Sequence, residues 1–394
     1  CSLVGSEMCI RDSFATTQLN LGPGWLRYNF AGYEEKPGTA EYTDLVATMD
    51  RVGGQFGCGQ SLWEFESARL GSYGTTMAPM LLPHWTDGCI GSMEGLYFEA
   101  SATTPYHFLL QSELSSAPSR AQRDLPYSAL DVAKGVDGMQ ALGVRYYMAF
   151  SEAALAQARA EPRLEEIATS GPWVIFLLAD HDVVRGLDHL PVVIDGLDAG
   201  GEDWLVPTVA AWDAGPGLPL LAASGPADWP RQSLDDFDHL DDGAQSGGDD
   251  RVSEIRALTE RLPDGLERAA VEPAEVTEVS SDESSISFSV DRTGRPVLVR
   301  ASYFPNWDVS GADGPYRVSP NLMVVVPTET EVELTYGRSG VEIVGMLLTI
   351  VGLIGLVAIG RYPLGAGGGA LWDLASGDDL PERDEVLADV RAGA

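Results

Sequence analysis

Aromatic and acidic side chains occur together in one part of the chain that has no regular helical or strand pattern. They lie in residues 58–66 (CGQSLWEFE), 83–88 (PHWTDG) and 88–110 (GCIGSMEGLYFEASATTPYHFLL). Flat aromatic rings pack on sugar rings, and a carboxylate accepts hydrogen bonds from hydroxyl groups or acts as a general base. The candidate substrate-facing residues are Trp63, Glu64, Trp85, Asp87, Glu94, Tyr97, Glu99, Tyr106 and His107.

Two interpretations of these residues remain open. Paired carboxylates carry out glycoside hydrolysis, and their separation sets the stereochemical outcome; Glu94 and Glu99 are the candidates for that role. However, the chain has 59 acidic residues, so carboxylates that fall close together in sequence are weak evidence of a site. The alternative is a loop that buried aromatic rings hold in place and carboxylates cap. No residue is identified as catalytic.

Other classes of site are not supported. The chain has no GxSxG, GxGxxG or Walker A motif, and it has no C-x-x-C pair or His cluster that would bind zinc. The turn Asp180-His181-Asp182 is more typical of a solvated turn than of a metal site. A formal charge of −34 repels phosphate backbones, which argues against nucleic-acid binding. No cofactor is evident.

A long apolar run near the C-terminus predicts a transmembrane helix over residues 341–361. The segment carries no charge from Ile343 to Ile359 and, with its flanks, approaches the roughly 20 residues that cross a bilayer. One arginine on each side, Arg338 and Arg361, leaves the orientation undecided. Residues 362–394 are predicted to form a short acidic tail.

Residues 14–230 have the mixed pattern of an α+β domain. A predicted helix places Tyr42, Leu45, Val46 and Met49 on one face and stops at Gly53. Ser151 is a predicted helix N-cap, residues 165–180 suggest a hairpin, and residues 71–127 read as a long irregular stretch. Such a stretch is usually functional or packs against another part of the protein.

Two further segments are predicted between this domain and the apolar run. Residues 231–282 include an aspartate-rich block and are predicted to be a solvated acidic linker. Calcium binding there is the alternative, but the EF-hand spacing is not met. Residues 283–338 alternate apolar and polar residues and predict a small β-sandwich-like module next to the membrane.

The cysteines leave two alternatives at this stage. Residues 1–13 (CSLVGSEMCIRDS) resemble a translated sequencing adaptor and are set aside from the fold prediction, with Cys1 and Cys9 among them. Cys58 and Cys89 then remain, each flanked by glycine. They form one disulfide if the compartment is oxidising, or are two buried thiols if it is not.

Several long phrases resemble a known family. They include YNFAGYEEKPGTAEYTDLVATM (residues 28–49), GCGQSLWEFE (57–66), LGVRYYMA (142–149) and VRASYFPNWDVSGADGPYRVSP (299–320). The chain, from about Trp25 to the apolar run, resembles the large bacterial, actinobacterial-type membrane proteins described as 6-pyruvoyl-tetrahydropterin synthase-related. The zinc-binding His triad of pterin chemistry is missing here. Such proteins look like polytopic relatives of GT-C glycosyltransferases.

The resemblance implies that this chain is the C-terminal part of a longer protein. Residues before the apolar run would lie outside the bacterial plasma membrane, the tail would be cytoplasmic, and a Cys58–Cys89 disulfide would then be favoured. The implied activity is transfer of sugar from a polyprenyl phosphate in cell-envelope glycan synthesis. Its catalytic acid, and any divalent cation, would belong to an N-terminal membrane region missing here.

This reading implies three kinds of partner: the bilayer, a polyprenyl-linked sugar or envelope glycan, and the missing N-terminal membrane region. Two alternatives of other classes remain. The first is a non-catalytic, membrane-anchored module that binds glycan or serves as a scaffold. The second is a glycan hydrolase.

Overall fold

The computed structural model describes residues 23–32, 34–93, 101–197, 204–233, 248–282 and 284–361. Residues 1–13 and 362–394, which the sequence assigns to an adaptor and a tail, lie outside this part of the chain. The protein has mixed α and β content and divides into two units, Cys1–Tyr336 and Gly337–Ala394.

The first sheet has five strands in the order β2-β1-β3-β5-β4. Strands β1 (Gly59–Trp63), β2 (Ile90–Ser92) and β3 (Val144–Ala149) run parallel to one another. Strands β4 (Leu164–Ser170) and β5 (Trp173–Leu178) form the antiparallel hairpin that the sequence predicts. The starts of β1 and β3 therefore lie at the same edge of the sheet.

Helices cover both sides of this sheet. After a short helix α1 (residues 23–30), helix α2 (Thr39–Phe56) buries Leu45 and Met49, as its pattern predicts. It continues past the predicted stop at Gly53, where the missing side chain allows close packing: a Cβ there would lie 2.7 Å from Cys89 Sγ. Ser151 caps helix α7 by accepting a hydrogen bond from Ala154 N at 3.2 Å, as expected.

Residues 71–127 contain a 3₁₀ turn (Ala78–Leu81) and helices α4 (Leu82–Trp85) and α5 (Thr104–Leu114), so the prediction of an irregular stretch is wrong. Helix α3 (Ser67–Gly71) comes before them, and α6 (Val132–Leu142) and α7 (Glu152–Ala160) follow. All eleven residues of α5 are buried. A helix enclosed on every side has no polar face, and its sequence therefore lacks the periodicity that reveals an amphipathic helix.

The second sheet has seven strands in the order β6-β12-β15-β14-β8-β7-β9. It combines β6 (Val184–Gly186), β7 (Val192–Asp195), β8 (Leu221–Ala222) and β9 (Arg231–Ser233) with β12 (Val297–Val299), β14 (Ala312–Val318) and β15 (Leu322–Pro327). Its strands come from both sides of the predicted linker. Residues 283–338 are thus not a separate module, because β12 pairs with β6 and β14 pairs with β8.

The third sheet has four strands in the order β10-β11-β16-β13. They are β10 (Val276–Ser281), β11 (Ser285–Val290), β13 (Trp307–Ser310) and β16 (Glu331–Tyr336). Ile286, Phe288 and Val290 are buried while the residues between them are more exposed, as the alternating pattern predicts. They share one apolar cluster with Val297 and Met323 of the second sheet, so the two sheets pack face to face.

The predicted linker over residues 231–282 is wrong for the part that the structure describes. Helix α9 (Gly248–Gly265) buries Ile255, Leu258 and Leu262 in an apolar cluster with helix α8 (Leu205–Asp213). The aspartates that precede the helix and begin it give this segment a high average charge, which concealed a narrow apolar face. The centre of the aspartate-rich block, residues 234–247, lies outside the described residues.

The second unit contains helix α10 (Gly340–Arg361). Its residues Gly340–Ile359 are long and apolar enough to cross a membrane, and their side chains are exposed to the surroundings. This agrees with the predicted position of the apolar helix.

Candidate functional site

A cleft with a volume of about 1070 Å³ lies between the three sheets of the first unit. One wall comes from the edge where β1 and β3 begin, including Gly59 and Arg145. The opposite wall comes from β6, from the end of β12 and from β10. A cleft of this size accommodates a drug-sized or oligosaccharide-sized ligand.

Cys58 and Cys89 form a disulfide in the wall of this cleft. Each cysteine directly precedes one of two paired parallel strands, and Gly59 N donates a hydrogen bond to Cys89 O at 2.9 Å. The predicted pairing is confirmed. The covalent link fixes the start of β1 to the start of β2, at the edge of the sheet that faces the cleft.

Three arginines line the cleft: Arg145, Arg185 and Arg300. The Nε atom of each is buried and has no hydrogen-bond partner. The guanidinium of Arg145 donates to Phe56 O, and Gly59 makes room for its side chain, since a Cβ at Gly59 would lie 2.6 Å from Arg145 Cδ. Arg185 Nη1 also lies 3.5 Å from Asp180 Oδ2. Buried donors normally have partners, so the Nε atom of each of these arginines is an unpaired donor.

Arg300 is the most enclosed of the three, with 8% of its surface exposed. It donates to Asp182 O at 2.6 Å, and its side chain packs over Gly143. Burial, together with the positive charge of Arg185, lowers the pKa of Arg300 to about 10, and Asp180 and Asp182 oppose the change. The guanidinium is therefore still charged at neutral pH, and a bound anion would stabilise it.

The acidic residues of the cleft are placed differently. Asp87, Asp182 and Asp282 also line it, but all three are exposed. The carboxylate of Asp282 is already used within a turn, where it accepts from Ser285 N at 2.7 Å. These exposed carboxylates place negative charge beside the guanidiniums, which disfavours the approach of long polyanions.

Two of the predicted substrate-facing residues, Trp63 and Glu64, are completely buried. Glu64 Oε1 accepts from Ser116 Oγ at 2.9 Å, and Oε2 accepts from Phe150 N and Ser151 N. This carboxylate joins three parts of the chain, and its contacts are structural. A substrate does not reach either side chain.

Tyr106 and His107 lie on the buried helix α5 and face the protein interior. The hydroxyl of Tyr106 contacts Thr208 Oγ1 at 2.5 Å, and burial raises the pKa of this phenol. The ring of Tyr106 also packs against Trp212. These contacts are structural, so the prediction that the two residues face a substrate is wrong.

Of the remaining candidates, two lie among the described residues. Trp85 is half exposed and makes an edge-to-face contact with His84, and Asp87 lines the cleft. Glu94, Tyr97 and Glu99 lie outside the described residues. The structure thus places Asp87 and the two cysteines at one site, away from the other candidates that it describes.

The sequence-based prediction missed the arginines. Their signal is present, because Arg145 interrupts the apolar run VRYYMA and Arg300 ends the run VLVR. Arginine is seldom buried in a strand without a partner. Within the part of the chain that the structure describes, no group of three His, Cys, Asp or Glu side chains is placed to hold a metal ion.

No family model, curated protein or solved structure matches this chain.

Proposed function

We propose that the chain is a membrane-anchored module that binds an acidic sugar, carrying a phosphate or carboxylate group, in the arginine-lined cleft. The observation that carries the proposal is Arg300, which is 8% exposed in the cleft wall and has an Nε donor without a partner. Charge-assisted hydrogen bonds to phosphate or carboxylate are the strong kind, and the planar guanidinium suits both groups.

The rest of the cleft fits the sugar part of such a ligand. Its lining includes the neutral polar side chains of Gln60, Ser101 and Thr103 and the indole of Trp307. Amides and hydroxyls bind sugar hydroxyl groups, and an indole offers a flat apolar face. The proposed binding requires no catalytic group. It is therefore compatible with the finding that the carboxylate of Glu64 has a structural role. The hydrolase alternative rests on Glu94 and Glu99, which lie outside the described residues.

The location is part of the proposal. Helix α10 is long and apolar enough to span a bilayer, and a disulfide persists in an oxidising compartment. We place the cleft on the outer side of a bacterial plasma membrane and the tail after residue 361 in the cytoplasm. The sequence resemblance described above suggests that the module serves a GT-C-like membrane protein, which would transfer sugar from a polyprenyl phosphate to envelope glycan.

Calorimetry on the detergent-solubilised 394-residue chain tests the binding. We expect glucose 1-phosphate and glucuronic acid to bind and glucose to bind at least tenfold more weakly. The variant Arg185→Gln should lower affinity for both acidic probes about tenfold or more, since a hydrogen bond to a charged group contributes about 1.5–3 kcal/mol. Arg185 is 42% exposed, so the variant is expected to fold.

The matched control is Arg159→Gln, which removes an exposed arginine paired with Glu166 outside the cleft. Its affinity for the acidic probes should equal that of the unmodified chain. Equal binding of glucose and glucose 1-phosphate, or equal affinities in the Arg185 and Arg159 variants, would contradict the proposal.

A further inference from the structure

A second cavity, with a volume of about 140 Å³, lies elsewhere in the first unit and shares no lining residue with the arginine-lined cleft. Its walls come from α6, from α8 and the loop that follows, and from Ser319 and Pro320. An engineered cavity of about 150 Å³ in another protein holds benzene. This cavity is therefore large enough for a ligand of about six to eight non-hydrogen atoms.

Most of the wall is apolar. Trp212, Leu218 and Pro219 contribute large apolar surfaces. Gly138 permits the close approach of the indole, since a Cβ at this position would lie 2.7 Å from the Trp212 ring. The body of a ligand bound here is thus expected to be a compact hydrocarbon or an aromatic ring.

One carboxylate in the wall has an unused acceptor. Glu113 is 2% exposed, its Oε1 atom lies 3.2 Å from Lys134 Nζ, and its Oε2 atom has no hydrogen-bond partner. A buried acceptor without a partner costs free energy, roughly 1–3 kcal/mol and more for a charged group. A hydrogen-bond donor that entered the cavity would recover that cost.

The charges around Glu113 leave negative charge in excess. Lys134 Nζ is shared with Asp213, whose Oδ1 lies 2.7 Å away, so one cation serves two carboxylates. The other acid in the wall, Asp137, shares Arg163 with Glu161. A positive charge placed at Glu113 Oε2 would reduce this excess.

We propose that this cavity binds a small monocationic amine, whose ammonium group donates to Glu113 Oε2 and whose apolar body packs against Trp212. The site is independent of the arginine-lined cleft and of the function proposed for it. A neutral alcohol of the same shape offers a donor but does not compensate the excess charge.

The ionisation of Glu113 adds a pH dependence. Burial raises the pKa of Glu113 to about 7; Lys134 opposes this change, and Asp213 and Asp131 add to it. The amine binds the ionised carboxylate, so its affinity should rise about tenfold from pH 6 to pH 8 as the protonated fraction disappears. Binding near pH 7 should release about half a proton per ligand, because about half of the Glu113 carboxyls are protonated there. Calorimetry in buffers of different ionisation enthalpy measures this release.

Calorimetry with benzylamine on the 394-residue chain, at 150 mM salt, tests the proposal. We expect benzylamine to bind at least tenfold more tightly than benzyl alcohol at pH 8. Glu113→Gln should abolish this preference together with its pH dependence. Ala211→Leu, which fills the cavity from its wall, should abolish benzylamine binding while Glu113 is intact.

The control Glu165→Gln removes an exposed carboxylate on β4 and should leave benzylamine binding unchanged. This variant controls for the nonspecific attraction of a cation to a chain of net charge −34. Equal binding of amine and alcohol, or full benzylamine binding in Ala211→Leu, would overturn the proposal. Arg185 lies outside this cavity. The variant Arg185→Gln should therefore weaken the binding of acidic sugars and leave the binding of benzylamine unchanged.

Discussion

Glu64 Oε2 accepts a hydrogen bond from Ser151 N at 2.8 Å, which ties the end of β1 to the start of helix α7. The same oxygen accepts from Phe150 N at 2.9 Å. Two backbone donors thus converge on one oxygen of a fully buried carboxylate. A negative charge at the N-terminus of a helix is also favourable. A residue chosen from the sequence as substrate-facing is instead a structural link.

Replacing Glu64 should therefore destabilise the protein. Glu64→Gln puts either an amide NH₂ or a neutral carbonyl opposite the two N–H donors, and we expect a loss of about 2–4 kcal/mol in the free energy of unfolding. Urea denaturation followed by circular dichroism measures the change. The control Glu165→Gln, on the exposed side of β4, should remain within about 0.5 kcal/mol. Equal stability of the two variants would show that the link is weak.

Reduction of the Cys58–Cys89 disulfide should also lower stability. The two cysteines are 31 residues apart in sequence, and the chain-entropy relation gives about 3–4 kcal/mol for a loop of that length. Denaturation with and without a reducing agent measures the difference, with Cys58→Ser/Cys89→Ser as the matched variant, which should not respond to reduction. Free-thiol labelling of Cys58 and Cys89 in the unreduced, denatured protein would contradict the pairing.

Glu113 should make stability fall as the pH rises. Its folded-state pKa of about 7 lies above the ordinary value of 4.5, so the folded protein binds more protons than the unfolded chain between these values. The stabilisation of the folded state by protonated Glu113 is fully present below pH 4.5 and is lost as the pH rises through 7. It amounts to about 3 kcal/mol in total. Other acidic residues also titrate in this pH range, so the contribution of Glu113 is obtained by comparison with the variant Glu113→Gln.

The measurement is urea denaturation of both proteins at several pH values. The difference in unfolding free energy between the unmodified protein and Glu113→Gln should shift by about 3 kcal/mol from pH 4.5 to pH 8, with the unmodified protein losing stability relative to the variant. Parallel stability profiles for the two proteins would mean that Glu113 has an ordinary pKa.

Helix α9 should contribute to the core. Leu258 is 4% exposed in the cluster that α9 forms with α8, and Leu258→Ala should cost about 2–4 kcal/mol. Arg256→Ala, on the exposed side of the same helix, should have little effect. Chemical denaturation measures the free energy of unfolding of both variants. If residues 248–265 were a solvated linker, the two substitutions would change this free energy equally.

Membrane attachment should depend on helix α10. Ile354 lies in the C-terminal half of the apolar segment Gly340–Ile359, and a lysine inside a spanning helix costs up to about 2.5–3.5 kcal/mol on insertion scales. Ile354→Lys should therefore increase the fraction of chain that alkaline carbonate releases from membranes. Ile354→Leu serves as the control and should behave like the unmodified chain. Release of the unmodified chain without detergent would argue against a spanning helix.

Local periodicity in the sequence was enough to predict several elements. The uncharged run of α10, the alternation in β11, the buried face of α2 and the cap at Ser151 are all confirmed by the structure. Each depends on residues within a few positions of one another, where side-chain spacing and backbone geometry are directly related. The cysteine pairing was predicted from the sequence resemblance and is also confirmed.

The tertiary structure decided which of the predicted site residues line the cleft and which lie in the core. Helix α5 is buried on all sides, so its sequence lacks the periodicity of an amphipathic helix. In α9, the nearby acidic residues concealed the apolar face. Arg300 and Asp182 meet at the cleft although 118 positions separate them. Contacts of that range depend on strand pairing between β6 and β12, and local spacing does not determine which distant strands will pair.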